Sequence, residues 1–455
     1  MDDKSTTQVA PSGQFEGGGA GPSGGDLVNC NNPLLSAQQA NTICSPAQIA
    51  SGDSVELLIG RRAIEGGGRA SAYEHQNYRA VFRIKGAVPE YEDFRYDIYG
   101  QYYYTSLFQE NHNYLSLSRI AKALQVVNVG GVPTCIARVT GADTACVPYN
   151  IFTQGGVDAN QINYLNSTGT EEGTVEQTVV SASVAGNLGK FGVKSPWAND
   201  PVGVALGVED RREHYRFAPD AASLSGDLSG FGGASTPIDA SLGVTEVFGE
   251  LRVPVASDLP MAKNLSFELG YRYSDYSSGL TADTYKIGGD WSPVEDIRFR
   301  GSYQRAIRAP NIIELFNPQA VTNTSQLAAD PCAGTAAAPA TATLAQCMNT
   351  GVTAAQYGNG GSTNRIVQCP AGQCAVLNGG NPALRPETAD TYSLGFTLRP
   401  TWLSGFTGSV DYWDIKVADE INSVPLVFTV NQCLTTGNPL FCSAVRTTPE
   451  QNSGL

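Results

Sequence analysis

"LSFELGYRYSDY" (residues 265–276) decides the fold, because its side chains sort by parity. Leu265, Phe267, Leu269, Tyr271 and Tyr273 fall on one side, and Ser266, Glu268, Arg272 and Ser274 on the other. A period of two is a β-strand with one apolar face. "DIRFRGSYQRAIRAPNIIELFNP" (296–318) opens the same way, with Ile297, Phe299, Gly301 and Tyr303 opposing Arg298, Arg300, Ser302 and Gln304 until Arg305 falls on the apolar side. The pattern recurs in "YRAVFRIKG", "FRYDIYGQYYY", "DPVGVALGVED", "GVTEVFGELRVPV" and "TADTYSLGFTLRP".

With weaker segments at 175–188, 282–292 and 405–418, about ten strands of 11 to 15 residues are expected. An ordinary globular strand has about five or six residues, and the lengths here suffice to cross a hydrocarbon layer at a tilt. Their connections alternate in length. Those near 86–92, 189–199, 256–263, 292–296 and 400–404 are short, those at 107–174, 214–241 and 309–387 are long, and 277–281 is a short member of the long class. Such asymmetry is the habit of outer-membrane barrels. The apolar side is therefore expected to face lipid and the charged side an aqueous interior.

Composition agrees. In 455 residues there are 50 Gly, 20 Tyr, 3 Met and 3 His, with 16% charged residues, which describes a turn-rich β protein. No apolar run is long enough for a transmembrane helix. The net charge of −14 and the lack of a basic cluster exclude a nucleic-acid partner. Trp197, Trp291 and Trp402 all stand at short turns, where an aromatic girdle would mark the lower membrane boundary.

The ten cysteines form close pairs, Cys30 with Cys44, Cys135 with Cys146, Cys332 with Cys347, Cys369 with Cys374, and Cys433 with Cys442, each in a loop-like stretch. That spacing suits disulfides that pin loops in an oxidising compartment. No CxxC occurs and the histidines lie elsewhere, so no metal site and no cofactor is expected. Residues 1–73 are expected to be a glycine-rich loop, "FEGGGAGPSGGD", and a projecting β-ribbon, "SVELLIGRRAIEGGGR"; residues 74–455 are expected to be barrel, with long outer loops at 107–174, 214–241, 309–387 and 419–455.

"GSYQRAIRAPNIIELFNP", "NPALRPETADTYSLGF" and "GSVDYWDIKVADEI" together resemble the distal barrel of TonB-dependent outer-membrane receptors, and "CIARVTGADTACVPYNIF" and "EGGGR" look like the variety with cysteine-pinned loops. The resemblance implies a 22-stranded barrel filled by an N-terminal plug, located in the cell outer membrane and coupled to the TonB complex for active uptake of a scarce solute such as a metal chelate or oligosaccharide. Arg308, Ala309, Pro310, Arg385, Pro386 and Glu387 carry the family motifs. No plug or TonB-recognition segment precedes residue 50, about ten strands are legible, and "EQNSGL" closes the sequence inside a loop, so an incomplete, central-to-distal fragment is expected.

On the polar side Glu246, Glu250, Arg272, Arg298 and Arg300 are expected to line the interior, either contacting plug or solute or standing as solvated wall residues. Ligand contacts are expected in the long loops. Two rivals share the pattern: a passive porin, and a secreted soluble β-rich binding protein. An enzyme is not expected, since no GxSxG elbow occurs and the carboxylate pairs Glu171/Glu172 and Glu209/Glu213 have nothing to fix them opposite one another.

Overall fold

The computed structural model describes residues 2–14, 25–334, 338–358, 366, 368–369 and 372–445. Of the expected glycine-rich loop, residues 15–24 lie outside the described residues, as does the end of the 419–455 loop.

One antiparallel sheet of eleven strands dominates: β1 (Asp2–Pro11), β2 (Gly68–Val88), β3 (Tyr91–Leu115), β4 (Asn166–Asn187), β5 (Gly203–Pro219), β6 (Ile238–Leu259), β7 (Ala262–Tyr276), β8 (Thr281–Val294), β9 (Ile297–Arg308), β10 (Glu387–Leu398) and β11 (Gly408–Ala418). Each pairs with its neighbours in chain order, and β1 and β11 are the two edges, so the barrel wall is left open. Ten strands are those legible in the alternation.

The eleventh, β1, corrects the reading of residues 1–73 as loop and ribbon: Asp2–Pro11 pairs with Gly68–Gln76 of β2. Its sequence, DDKSTTQVAP, has no apolar face, so alternation does not announce it; Lys4 Nζ lies 3.0 Å from Glu74. The expected ribbon is instead the return leg of a folded loop. Ser54–Leu57 pairs with Asp26–Asn29, Arg61–Arg62 pairs with Gly13–Gln14, and Ile64–Gly66 is a single 3₁₀ turn. The strands also run well into the expected loops, β3 to Leu115 and β4 from Asn166. Alternation disappears at these ends, because a strand with polar surroundings on both sides needs no apolar face.

Three of the five connections at one end are two-residue turns, after β2, β6 and β8, while 188–202 and 399–407 are longer. Glu90 and Met261 adopt φ of 69° and 61° to close the β2–β3 and β6–β7 hairpins, a left-handed geometry uncommon for residues with a side chain. At the other end the loops fold into two caps with their own cores. The first packs 25–67 against 116–165 around Val28, Ile120, Leu124, Tyr149, Leu165 and the Cys135–Cys146 disulfide, and 220–237 joins it through the bonds of Asp227 to Ser116 and Leu117. Asn29 stitches its two main loops: its Nδ2 donates to the Val126 carbonyl at 2.7 Å while its Oδ1 accepts the Val126 N–H at 2.9 Å. The second cap packs the described residues of 309–386 against 419–445 around Cys332, Cys347, Val352, Val430 and Leu434. All five disulfides connect the cysteines that spacing paired, and all lie in the caps.

Within the first cap Asp143 accepts from Lys122 Nζ at 3.1 Å and from the Tyr164 hydroxyl at 2.9 Å. The ammonium of Lys122 holds the Asp143 carboxyl below its ordinary range, despite partial burial. A depressed carboxylate stabilises the fold above its unfolded value of about 4 and ceases to do so as pH falls through the lowered value. The first cap is therefore expected to lose protease resistance below about pH 4, and Asp143→Asn is expected to flatten that dependence; limited proteolysis across pH 3 to 6 checks both.

Candidate functional site

Register fixes what each face of the sheet presents. Residues directly opposite in adjacent strands share a face, and through the pairs Leu251↔Leu269↔Ile287↔Tyr303↔Tyr392 one face can be followed from β6 to β10. Between Tyr78 and Ile84 on β2, Tyr96 and Tyr104 on β3, Thr178 and Val184 on β4, Val204 and Val208 on β5, and Val247 and Val253 on β6, this face carries no Asp, Glu, Lys, Arg or His. The same holds for β7 from Leu265 to Tyr273, β8 from Tyr285 to Trp291, β9 from Ile297 to Tyr303, and β10 from Tyr392 to Leu398. Above the band the next outward residues turn charged: Glu176, Asp210, Asp275, Asp283, Arg305 and Asp390.

Aromatic rings mark both limits. Tyr285, Tyr303 and Tyr392 lie in a row at the upper edge, with centroids 5.9 and 4.7 Å apart. Trp291, Phe299 and Phe396 do the same at the lower edge, at 5.5 and 6.3 Å, and Trp291 Nε1 donates to the Met261 carbonyl. The side chains of the band are uncovered: Phe267 is 45% exposed, Leu269 41% and Leu394 66%. Among the described residues neither a second sheet nor a helix layer packs on them.

All five wall candidates lie on the opposite face. Glu246 is 6% exposed, accepting from Arg272 Nη1 at 2.9 Å and Ser274 Oγ at 2.6 Å, while the Arg272 guanidinium stacks 4.9 Å above Phe248. Phe248 in turn lies flat over Gly207, where any Cβ would meet its ring at 2.3 Å. Arg298 donates from Nε to Asp290 at 2.6 Å. Glu250 stands opposite Gly270 in a recess of about 360 Å³, with Arg252, Glu268 and Lys286 around it. Arg300 donates from Nε and Nη2 to Asp411 at 2.8 and 2.5 Å.

That last pair reaches across an intervening strand, and Gly395 makes the crossing possible. A Cβ on Gly395 would stand 2.0 Å from Asp411 Oδ1 and 2.9 Å from the Val410 carbonyl. Gly395→Ala is therefore expected to separate Arg300 from Asp411. A double-mutant cycle on Arg300→Ala and Asp411→Ala should give a measurable coupling with glycine present and almost none with alanine; equal couplings would refute the account.

The family-motif residues meet although far apart in sequence. Arg308 Nε and Nη2 donate to Glu387 at 2.9 and 2.8 Å, and Nη1 donates to Glu314 at 3.1 and 3.0 Å. Glu387 also accepts the Ile421 N–H at 2.7 Å. Glu314 belongs to the short helix Ile312–Phe316, whose cap Asn311 exchanges hydrogen bonds with it. Burial is the largest influence on Glu314 and opposes its ionisation, but the Arg308 hydrogen bond, the Asn311 N–H and the Arg308 charge together outweigh it and hold the carboxyl below its usual range. Ala309 is half-buried and Pro310 buried at the loop's start. Arg385 is exposed and Pro386 half-buried just before β10. The clasp thus ties both ends of the 309–386 loop and the start of the next.

Glu171 and Glu172, adjacent in β4, point to opposite faces and cannot act as a pair. Among the described residues no group of three or more His, Cys, Asp or Glu could hold a metal ion. Sequence reading missed Asp290, Asp411 and Trp413. The parity of "SVDYWDIKV" places Asp411 and Trp413 together, but only the β10–β11 register assigns them to the polar face.

The family described as "TonB dependent receptor-like, beta-barrel" matches residues 58–448. Similar solved structures include the ferric enterobactin receptor PfeA of Pseudomonas aeruginosa, at 14% identity over 77% of this chain and 40% of that one, with a TM-score of 0.39. The siderophore receptor PirA of Acinetobacter baumannii is similar at 11% identity over 78% and 43%, with a TM-score of 0.35. The RagAB peptide transporter is similar at 11% identity over 78% and 31%, with a TM-score of 0.40. The chain thus spans less than half the length of these structures, and no curated protein matches it.

Proposed function

Because this chain belongs to the TonB-dependent receptor β-barrel family, we propose that it supplies eleven adjoining wall strands of an outer-membrane receptor and most of its outer mouth. The intact receptor imports a scarce solute, drawing on the TonB complex for energy. One observation carries the membrane assignment: an uncharged, uncovered band bounded by aromatic rows on one face, with ion-paired side chains on the other. In water such a contiguous apolar surface would drive association; in hydrocarbon it is the stable arrangement.

The wall charges, including Glu246, Glu250, Arg272, Arg298 and Arg300, keep the interior wet, and the caps select at the mouth. Energised uptake separates this reading from a passive porin. In cells expressing the receptor, uptake that collapses when TonB is deleted or the proton gradient is dissipated supports it; uptake indifferent to both makes the protein a porin. A protein that remains monomeric without detergent would instead be the secreted binding protein.

A further inference from the structure

The outward face does not pass smoothly from the uncharged band to the charged residues above it. Directly over the band, strands β4 to β7 enclose a hollow of about 590 Å³. Register lays out its floor in rows. The last uncharged row is Val208↔Val247↔Tyr273; above it stand Asp210↔Thr245↔Asp275, then Arg212↔Gly243, then Glu176↔His214↔Ser241. Gly243 is the reason for the depression. A Cβ there would meet nothing nearer than 3.8 Å, so crowding does not demand glycine, and the empty position leaves a trough between the side chains of β5 and β7.

Part of the charge around the trough is settled within the protein. Asp210 accepts from Arg212 Nε and from Thr245 Oγ1, each at 3.0 Å, and His214 Nε2 lies 2.8 Å from Asp239. Two groups remain. The terminal nitrogens of Arg212 and the carboxylate of Asp275 have no partner among the described residues, and both side chains are exposed. They do not satisfy each other, because β5 and β7 stand two strands apart, about 10 Å.

A ligand that satisfies both must carry an anion and a cation on one short link. Phosphoethanolamine does: its phosphate takes the guanidinium fork, its ammonium donates to Asp275, and with a charge-assisted bond of about 2.8 Å at either end it spans the gap. The hydroxyls of Ser241 and Ser277 line the same trough. A quaternary ammonium has no N–H to donate, and a glycerol headgroup has no cation. A phosphate bridged by a divalent ion fits less well, since no group of three or more acids among the described residues could hold a metal ion.

Position names the molecule that carries the headgroup. The trough opens onto the uncharged band beneath it, so a headgroup seated there leaves its acyl chains against Val208, Val247 and Tyr273. We propose that the hollow over Gly243 is a binding site for phosphatidylethanolamine, held between Arg212 and Asp275 at the upper edge of the band. The band alone accepts any lipid; the hollow selects by headgroup. This rests on the membrane reading above.

The test uses the receptor purified from outer membranes in detergent and offered equal amounts of dioleoyl phosphatidylethanolamine, phosphatidylcholine and phosphatidylglycerol, with the retained lipid counted by native mass spectrometry. Phosphatidylethanolamine is expected to be retained in preference, and Asp275→Asn or Arg212→Gln to lower its affinity about tenfold, the loss of one charge-assisted bond. Gly243→Trp, which fills the trough without altering its charge, is expected to abolish the preference, and Glu74→Gln, outward on β2, to leave it unchanged. Heat-modifiable gel mobility verifies that each variant is folded, and the asparagine variant carries the test should the tryptophan variant fail. The site is overturned if the three lipids are retained alike, if a folded Gly243→Trp or Asp275→Asn keeps the parent's preference, or if retention requires magnesium, which would make a divalent ion the ligand. A receptor that inserts into bilayers yet shows no headgroup preference loses this site and keeps the membrane reading; one that stays monomeric without detergent loses both.

Discussion

Leu394→Arg is expected to destabilise the barrel by about 2–4 kcal/mol, the cost of an arginine near the bilayer midplane. Leu394 lies on the outward face of β10, between Tyr392 of the upper aromatic row and Phe396 of the lower one, and opposite Gly301. The nearest outward acids both stand above it, Asp414 on β11 opposite Tyr392 and Asp390 along the strand, the latter already held by Arg305 at 2.8 Å, so an arginine at 394 would have to climb to the upper aromatic row to find a partner. In a soluble protein the same change at so exposed a position would stay within about 0.5 kcal/mol. Thr391→Arg, on the polar face of the same strand, is expected to cost less than about 1 kcal/mol for the same reason. Denaturant unfolding in lipid vesicles, with both variants side by side, measures the difference. Equal costs would mean that β10 has water on both faces.

Replacing Cys135 and Cys146 by serine is expected to cost the first cap about 3 kcal/mol, as closing a loop of comparable length does in the chain-entropy account. The two residues are 11 apart in sequence with Cα atoms 6.1 Å apart, and both are fully buried among Ile120, Leu124 and Leu165. The cap is a small structure whose core spans two loops, so it has little other means of restraining its unfolded ensemble. The expected result is confined to that cap: cleavage between 116 and 165 accelerates by about two orders of magnitude, while the strands stay resistant. Mass-spectrometric mapping of a limited digest reads it. Unchanged cleavage would show that packing around Tyr149 alone holds the cap.

Legibility in the sequence followed solvent. Where β7, β9 and β10 cross hydrocarbon, alternation names every outward residue from Leu265 to Tyr273 and from Tyr392 to Leu398. β1, paired only above that band, has no such pattern and was invisible. The five wall candidates share one face, as their parity states, but parity does not name their partners, because Asp290 and Asp411 reach Arg298 and Arg300 from other strands, the latter over Gly395. Arg308 and Glu387 stood out as motif residues, yet nothing in either motif states that they bond across 79 positions.

By itself, then, the amino-acid order determined the strands that meet lipid, the alternation of short and long connections, and which cysteines pair, since each of these depends on residues close together in the chain. Only the tertiary structure decided the merging of separate loops into two caps, the charge pairs across the wall and the register that sets Trp413 opposite Ser393. Those depend on register between strands and on contacts between distant loops, and a side chain's parity says which face it takes but not what stands beside it there.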